Sequence, residues 1–287
     1  MRVGVLAENA RQGNAVGNHI AEIARFFQDR GSELRVFLED PRQLHPALSQ
    51  LATTNRDHQV PHYLTTCDFV FVCYAGDYRL LHWLPMLAGT GPRIVLDYLG
   101  VTPAELWAGT NRDRLERDAR ARGYVWFADH ALTMSQASRA ELFESTGFPA
   151  SHTTTMPLCI DTARFFLDAK DRHSMRTRLG LTGPTLLYVG RLAGNKCVSL
   201  LIEALAKLDK RYQALIVGET SDVYAAEAER CQQLANDLGV SSRVRFVGSV
   251  DDAELPGIYR AADMLVMPSL QHVRPGNTQV RLGRYEA

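Results

Sequence analysis

Short, mostly apolar runs alternate along this chain with longer stretches in which apolar residues recur every three or four positions. The runs Arg2–Ala7, Leu34–Leu38, Phe69–Cys73, Ile94–Tyr98 and His130–Thr133 predict short strands. Phe69–Cys73 and Ile94–Tyr98 are apolar on both faces, as parallel strands covered by helices should be. Asn18–Arg30 places Ile20, Ile23 and Phe27 on one helical face and stops at Gly31. Glu105–Ala121 is charged and predicted helical. Ser135 stands where it would cap a helix over Ala137–Thr146, which Gly147-Phe148-Pro149 would end. Residues 41–66 have no clear pattern.

Pro157–Gly183 reads as a join, with a charged cluster over Asp168–Arg178 and a break at Gly183-Pro184. A second series follows. Strands are predicted over Thr185–Val189, Ala214–Val217, Val244–Val247 and Met264–Met267. Helices are predicted over Ser199–Leu208, Asp222–Leu238 and Ala253–Ala261. Two alternating series predict an α/β protein of two doubly wound, Rossmann-like domains, residues 1–165 and 166–287. Such sheets bind ligands beyond the carboxyl ends of their strands, here in a cleft between two facing domains.

Composition then excludes several partners. Lys+Arg and Asp+Glu both number 32, so no basic excess exists to neutralise a nucleic-acid backbone. No apolar run reaches the roughly 18–20 residues of a membrane helix, so no integral membrane segment is expected. Met1-Arg2 leads straight into a strand-like run, without the apolar core of a signal peptide. A cytoplasmic protein is expected, with peripheral docking at the inner membrane face left open. Cys67, Cys73, Cys159, Cys197 and Cys231 form no CxxC, and the nine histidines form no HExxH, so no metal site is expected.

No GxGxxG follows the first strand, and no GxxxxGK[ST] occurs. The candidate chemistry lies in Gly190-Arg191-Leu192-Ala193-Gly194-Asn195-Lys196, between a buried strand and a helix beginning near Val198-Ser199. Helix N-terminal amides, an Arg fork and a Lys point charge suit an anion there. On spacing alone, the same two side chains read more readily as solvated loop cations. In the first half, the loop Gly13–Asn18 has two glycines and two asparagines. It reads as a close backbone approach to a ligand or as an ordinary strand–helix loop. His19, next to it, reads as a packed or capping side chain or as a catalyst.

Six segments in order resemble glycosyltransferase family 4. They are Asp97-Tyr98-Leu99-Gly100-Val101-Thr102-Pro103, Ser135 with Ser138-Arg139, Met156–Asp161, Val189–Lys196 with Ile216-Val217-Gly218, Arg243–Gly248 with Leu255–Asp263, and Pro268-Ser269. The resemblance implies a GT-B fold, with a nucleotide-sugar donor held mainly by the second domain. It implies sugar transfer to a sugar, lipid or small-molecule acceptor, with retention of configuration and without an obligatory metal or other cofactor. It makes Arg191 and Lys196 the groups that stabilise the departing diphosphate. Gly190, Glu219, Val247 and Gly248 would lie at the donor. Gly13, Asn14, Val16, Gly17 and His19 would lie at the donor phosphates and the acceptor.

Two departures accompany the resemblance. Leu99 stands where related sequences carry His, and a leucine neither donates a hydrogen bond nor carries a proton. After Leu270 the acidic turn and second Glu of the family are absent. Residues 271–287 are therefore expected to be non-native, through a frameshift, a gene fragment or an altered terminus. The second domain would then be incomplete, with Met264–Met267 beside an open sheet edge or uncovered apolar face. A catalytically inactive fragment, acting as a nucleotide-binding or interaction module, is the alternative reading. Another GT-B class, an epimerase or phosphorylase, lacks identifiable acid/base groups or a cofactor lysine here.

Overall fold

The computed structural model describes residues 1–54, 60–106, 112–158, 160, 162–165, 169–220 and 224–269. The readings of residues 271–287, Cys159 and the start of the Asp222–Leu238 helix fall outside these. The chain divides into two compact units, Met1–Ala104 with Gly109–Ile160, and Asp161–Ala287 with Glu105–Ala108.

In chain order, the first unit comprises β1 (Arg2–Asn9), α1 (Ala15–Gln28), β2 (Glu33–Asp40), β3 (Ala52–Thr54), α2 (Val60–Thr65) and β4 (Phe69–Tyr74). It continues with α3 (Leu84–Leu87), β5 (Arg93–Tyr98), α4 (Arg112–Arg120), β6 (His130–Thr133), α5 (Gln136–Thr146) and β7 (Thr153–Thr155). Its parallel sheet has the order β3-β2-β1-β4-β5-β6-β7, which reverses direction between β1 and β4. Such a reversal is where doubly wound sheets open a ligand crevice. Side chains alternate across the sheet. Val3, Val5 and Ala7 pack with Ile20, Ile23 and Ala24 of α1. Leu6, Val70 and Leu96 pack with Leu64, Leu84 and Leu142 on the opposite face. Burying each such Leu or Ile contributes about 2 kcal/mol, which holds the layers together.

The second unit comprises α6 (Ala169–Arg178), β8 (Thr185–Val189), α7 (Val198–Lys207), β9 (Gln213–Val217), α8 (Ala225–Asp237), β10 (Val244–Gly248), α9 (Leu255–Ala261) and β11 (Met264–Leu265). Its parallel strands run β10-β9-β8-β11, again with the first strand of the unit beside the reversal. Tyr188 and Ile216 face Leu201 and Ile202 of α7. Leu187, Leu215 and Val217 face Ile258 and Ala261 of α9.

Several boundaries differ from the sequence reading for local reasons. Helix α1 begins at Ala15 rather than Asn18, because Asn14 Oδ1 accepts from the amides of Val16 (2.7 Å) and Gly17 (3.3 Å). Ser135 does cap α5, through a reciprocal box with Ser138, and Gly147 ends that helix at φ +72°. The charged cluster expected at the join is helix α6 from Ala169 onward. It lacks a strong apolar stripe because its arginines bind backbone. Arg172 donates to the carbonyl of Ala262 at 2.8 Å, and Arg176 to that of Ala261 at 2.8 Å. Both also reach the carboxylate of Asp263, whose Oδ2 accepts from the Thr185 amide at 2.8 Å. The end of α9 is thereby capped by side chains from α6. Strand β11 is shorter than expected and ends the described sheet order, with Met264 and Met267 42% and 38% exposed.

Candidate functional site

At the carboxyl edge of the second unit, β8 runs into Gly190, β9 runs into Gly218 and β10 ends on Gly248. The Gly218 amide donates to Gly248 O and the Gly190 amide to Val217 O, each at 2.9 Å. A Cβ on Gly218 would lie 1.8 Å from Gly190 O, so this edge closes only as bare backbone. Gly248 has φ +82°. Val247, before it, is half-buried against the α9 side of the core. Glu219 follows Gly218, and its carbonyl accepts the Leu192 amide at 3.4 Å.

Beyond Gly190 the chain makes one tight turn, Gly194–Lys196, and enters α7 through Cys197 at φ +50°. Cys197 supplies no side-chain cap to α7; its thiol turns back to Gly194 O at 3.3 Å. The first amides of α7, at the positive end of the helix dipole, thus receive no cap from Cys197. Lys196 is half-buried beside them. Burial, and then the charge of Arg191, hold its pKa below 10.5. Arg191 is exposed and donates from Nη1 to Tyr224 Oη at 3.1 Å. Tyr188, fully buried, donates its hydroxyl to the Arg191 carbonyl at 2.8 Å. Among the described residues neither cation has a carboxylate partner, although most other arginines of the unit do. Two cations thus stand beside a helix N-terminus that its cap residue leaves without a side-chain bond, an arrangement whose charge and amides suit an anion.

The corresponding edge of the first unit is built differently. Gly13 takes φ +72°, and a Cβ on Gly17 would lie 2.0 Å from Arg11 O. Most of the Gly13–Asn18 stretch is thus the first turn of α1, packed against backbone, and Asn14 already fills two of its amides. Val16 is half-buried in the α1 core. His19 is 3% exposed, and its Nε2 lies 2.5 Å from Asp97 Oδ2. Leu99 packs into the same apolar face. Among the described residues, four buried side-chain atoms here find no protein hydrogen-bond partner: Asn9 Oδ1, Arg11 Nε, Asn18 Oδ1 and His19 Nδ1. Nearby, Arg42 and then Arg11 hold the Asp40 carboxyl well below the usual carboxylate range.

Sequence reasoning missed Tyr188, Tyr224 and Asp97 as partners of its candidates. Tyr224 carried a signal, since it heads the apolar stripe of the predicted helix over Asp222–Leu238 and follows the Gly218 strand end closely. Among the described residues no group of three or more His, Cys, Asp and Glu is arranged to hold a metal, and no helix is long and apolar enough to cross a membrane.

Fold and edge define a class. The solved structure of Anabaena HepE in complex with UDP matches at a TM-score of 0.75 with 20% identity, over 94% of this chain and 75% of that one. The fold is that of GT-B glycosyltransferases. Residues 183–282, within the second unit, match the family described as glycosyl transferases group 1. That match runs past Leu270, where the sequence reading ends the resemblance. Mannosylfructose-phosphate synthase of Agrobacterium fabrum is 34% identical over 135 residues, 45% of this chain and 30% of the relative. A D-inositol 3-phosphate glycosyltransferase of Geodermatophilus obscurus is 33% identical over 169 residues, 55% of this chain and 37% of the relative. The matched part spans well under half the length of either relative.

Proposed function

We propose that this protein transfers a sugar from a nucleoside-diphosphate sugar to a hydroxyl acceptor, with retention at the anomeric carbon. The observation that carries this reading is the pair Arg191 and Lys196, without carboxylate partners among the described residues, at the start of α7 that Cys197 leaves uncapped, beyond strand β8.

As the bond between the anomeric carbon and the phosphate oxygen breaks, its electron pair leaves with the diphosphate. Arg191, Lys196 and the α7 amides meet that growing charge with groups already in place, which stabilises the transition state more than the bound donor. Gly190, Gly218 and Gly248 let the donor approach main chain. Val247 and Glu219 flank the nucleotide side of the same edge. The donor is itself the source of the sugar, and the proposal requires no further cofactor. In the first unit, the unpartnered polar atoms of Asn9, Arg11, Asn18 and His19 favour a small, hydroxyl-rich acceptor at the β1–α1 end. The named relatives, a sugar-phosphate synthase and an inositol phosphate glycosyltransferase, support an acceptor of that kind.

Isothermal titration with UDP and GDP, on wild type and Arg191→Ala, tests the donor half. Saturable binding of one nucleotide, lost in the variant, is expected. A folded wild type that binds neither would overturn the reading. With the base known, the anomeric configuration of the transfer product, read by proton NMR, tests retention.

A further inference from the structure

The Arg191 guanidinium is exposed yet held in place. Its main chain is pinned from beneath, because buried Tyr188 donates to the Arg191 carbonyl at 2.8 Å. Tyr188 comes so close to the turn that a Cβ on Gly190 would lie 2.9 Å from its hydroxyl. At the far end, Arg191 Nη1 donates to Tyr224 Oη at 3.1 Å, and the guanidinium carbon lies 5.8 Å from the Tyr224 ring centroid. One phenol therefore fixes the backbone of the arginine and a second fixes its fork.

The bond to Tyr224 also leaves a donor over. A phenol that accepts from a guanidinium keeps its own proton free, and a guanidinium has five N–H donors, of which this bond uses one. An anionic oxygen bound to Arg191 beside Nη1 would lie within reach of that proton. Tyr224 and Arg191 would then grip the same phosphate as one unit. Unlike a carboxylate partner, a neutral phenol orients the arginine without cancelling its charge.

We propose that Tyr224 is a further residue of the diphosphate site, which orients Arg191 and donates its hydroxyl proton to the phosphate that Arg191 binds. This rests on the diphosphate reading of Arg191 above.

The test uses the full chain, first with UDP, GDP and ADP to find the nucleotide that wild type binds. Titrations with that nucleotide and with its nucleoside follow for wild type, Tyr224→Phe, Arg191→Ala and the double variant. Tyr224→Phe is expected to weaken the nucleoside diphosphate about tenfold, the scale of a hydrogen bond to a charged group. It should leave nucleoside binding, read by saturation-transfer NMR, unchanged. The double variant should lose less than the product of the two single losses, as residues acting on one phosphate do. Unchanged diphosphate affinity in Tyr224→Phe, equal losses for nucleotide and nucleoside, or independent losses in the double variant would each overturn the proposal. If Arg191→Ala weakens binding and Tyr224→Phe does not, the diphosphate site stands and this role for Tyr224 falls. If Arg191→Ala binds like wild type, the diphosphate reading itself fails.

Discussion

His19, on helix α1, and Asp97, near the end of β5, meet with 2.5 Å between Nε2 and Oδ2, although they stand 78 residues apart in sequence. Both side chains are almost wholly buried, at 2% and 1% exposure. The bond ties the helix to the sheet beyond the neighbouring strand β4, beside the apolar cluster of Val3, Val5, Ile20 and Ile23.

Removing one partner should strand the other without solvent. Asp97→Ala or His19→Ala is expected to destabilise the first unit by about 3 kcal/mol. Replacing both together, His19→Leu with Asp97→Leu, should destabilise less than either single change, since no buried polar group is then left unpaired. Urea unfolding of the four proteins checks the order; a double variant less stable than both singles would refute it.

Lys196 predicts a pH dependence. Its charged form is disfavoured by burial and then by Arg191, so its pKa lies below 10.5 before ligand binds. A bound diphosphate favours the charged form and raises that pKa again. Nucleotide binding should be strongest below the lowered pKa and weaken as pH rises through it. In the absence of nucleotide, stability should increase with pH between the lowered value and 10.5, because the unfolded chain there holds the proton more tightly. Lys196→Ala should flatten both trends, and titrations with the bound nucleotide across alkaline pH measure the first directly.

Cys197 enters α7 at φ +50°, in the left-handed region that an L-residue adopts at about 1–2 kcal/mol. Glycine would remove that strain while losing some 0.5–1 kcal/mol to greater freedom of the unfolded chain. Cys197→Gly is therefore expected to gain about 0.5 kcal/mol. Cys197→Val should lose about 1–2 kcal/mol, since a β-branched side chain tolerates this region least. Thermal midpoints ordered Gly, Cys, Val from highest to lowest would confirm it.

The two glycines Gly218 and Gly248 should respond unequally to alanine. At Gly218 the new Cβ would meet Gly190 O at 1.8 Å, whereas at Gly248 it would meet nothing within 4 Å. Gly218→Ala is expected to cost about 3 kcal/mol or more and to abolish nucleotide binding by parting β8 from β9. Gly248→Ala should cost only about 1 kcal/mol, from its φ of +82°. Circular dichroism melts, with nucleotide titration of whatever remains folded, separate the two.

The elements legible in the sequence are those whose burial is written locally. Leu201 and Leu205 on one helical stripe, or Val3 through Ala7 buried on both sides of β1, show their neighbours through spacing alone. The position of Arg191 and Lys196 between a strand and a helix was legible for the same reason. The short strands β3 and β7 were not, because Ala52–Thr54 and Thr153–Thr155 are brief and mostly threonine. Helix α6 was hidden because Arg172 and Arg176 dock through guanidinium groups rather than an apolar face. The partners of the site candidates were hidden by distance along the chain. Asp97 reaches His19 only through the register of β1, β4 and β5, and Tyr224 reaches Arg191 from 33 positions further along the chain.

The bonds from α6 to Asp263 also bear on synthesis. Arg172 and Asp263 stand 91 residues apart, and β8, among the first elements of its unit to be made, pairs with β11, the last described. Contacts so distant in sequence form late, after chain closure has been achieved. As the chain leaves the ribosome, the first unit has all seven of its described strands once Thr155 emerges. The second must wait for Asp263 before α6, β8 and the end of α9 lock together. Its nascent sheet should spend the longer time with the β11 side of β8 unpaired, where a chaperone that shields apolar strands would act.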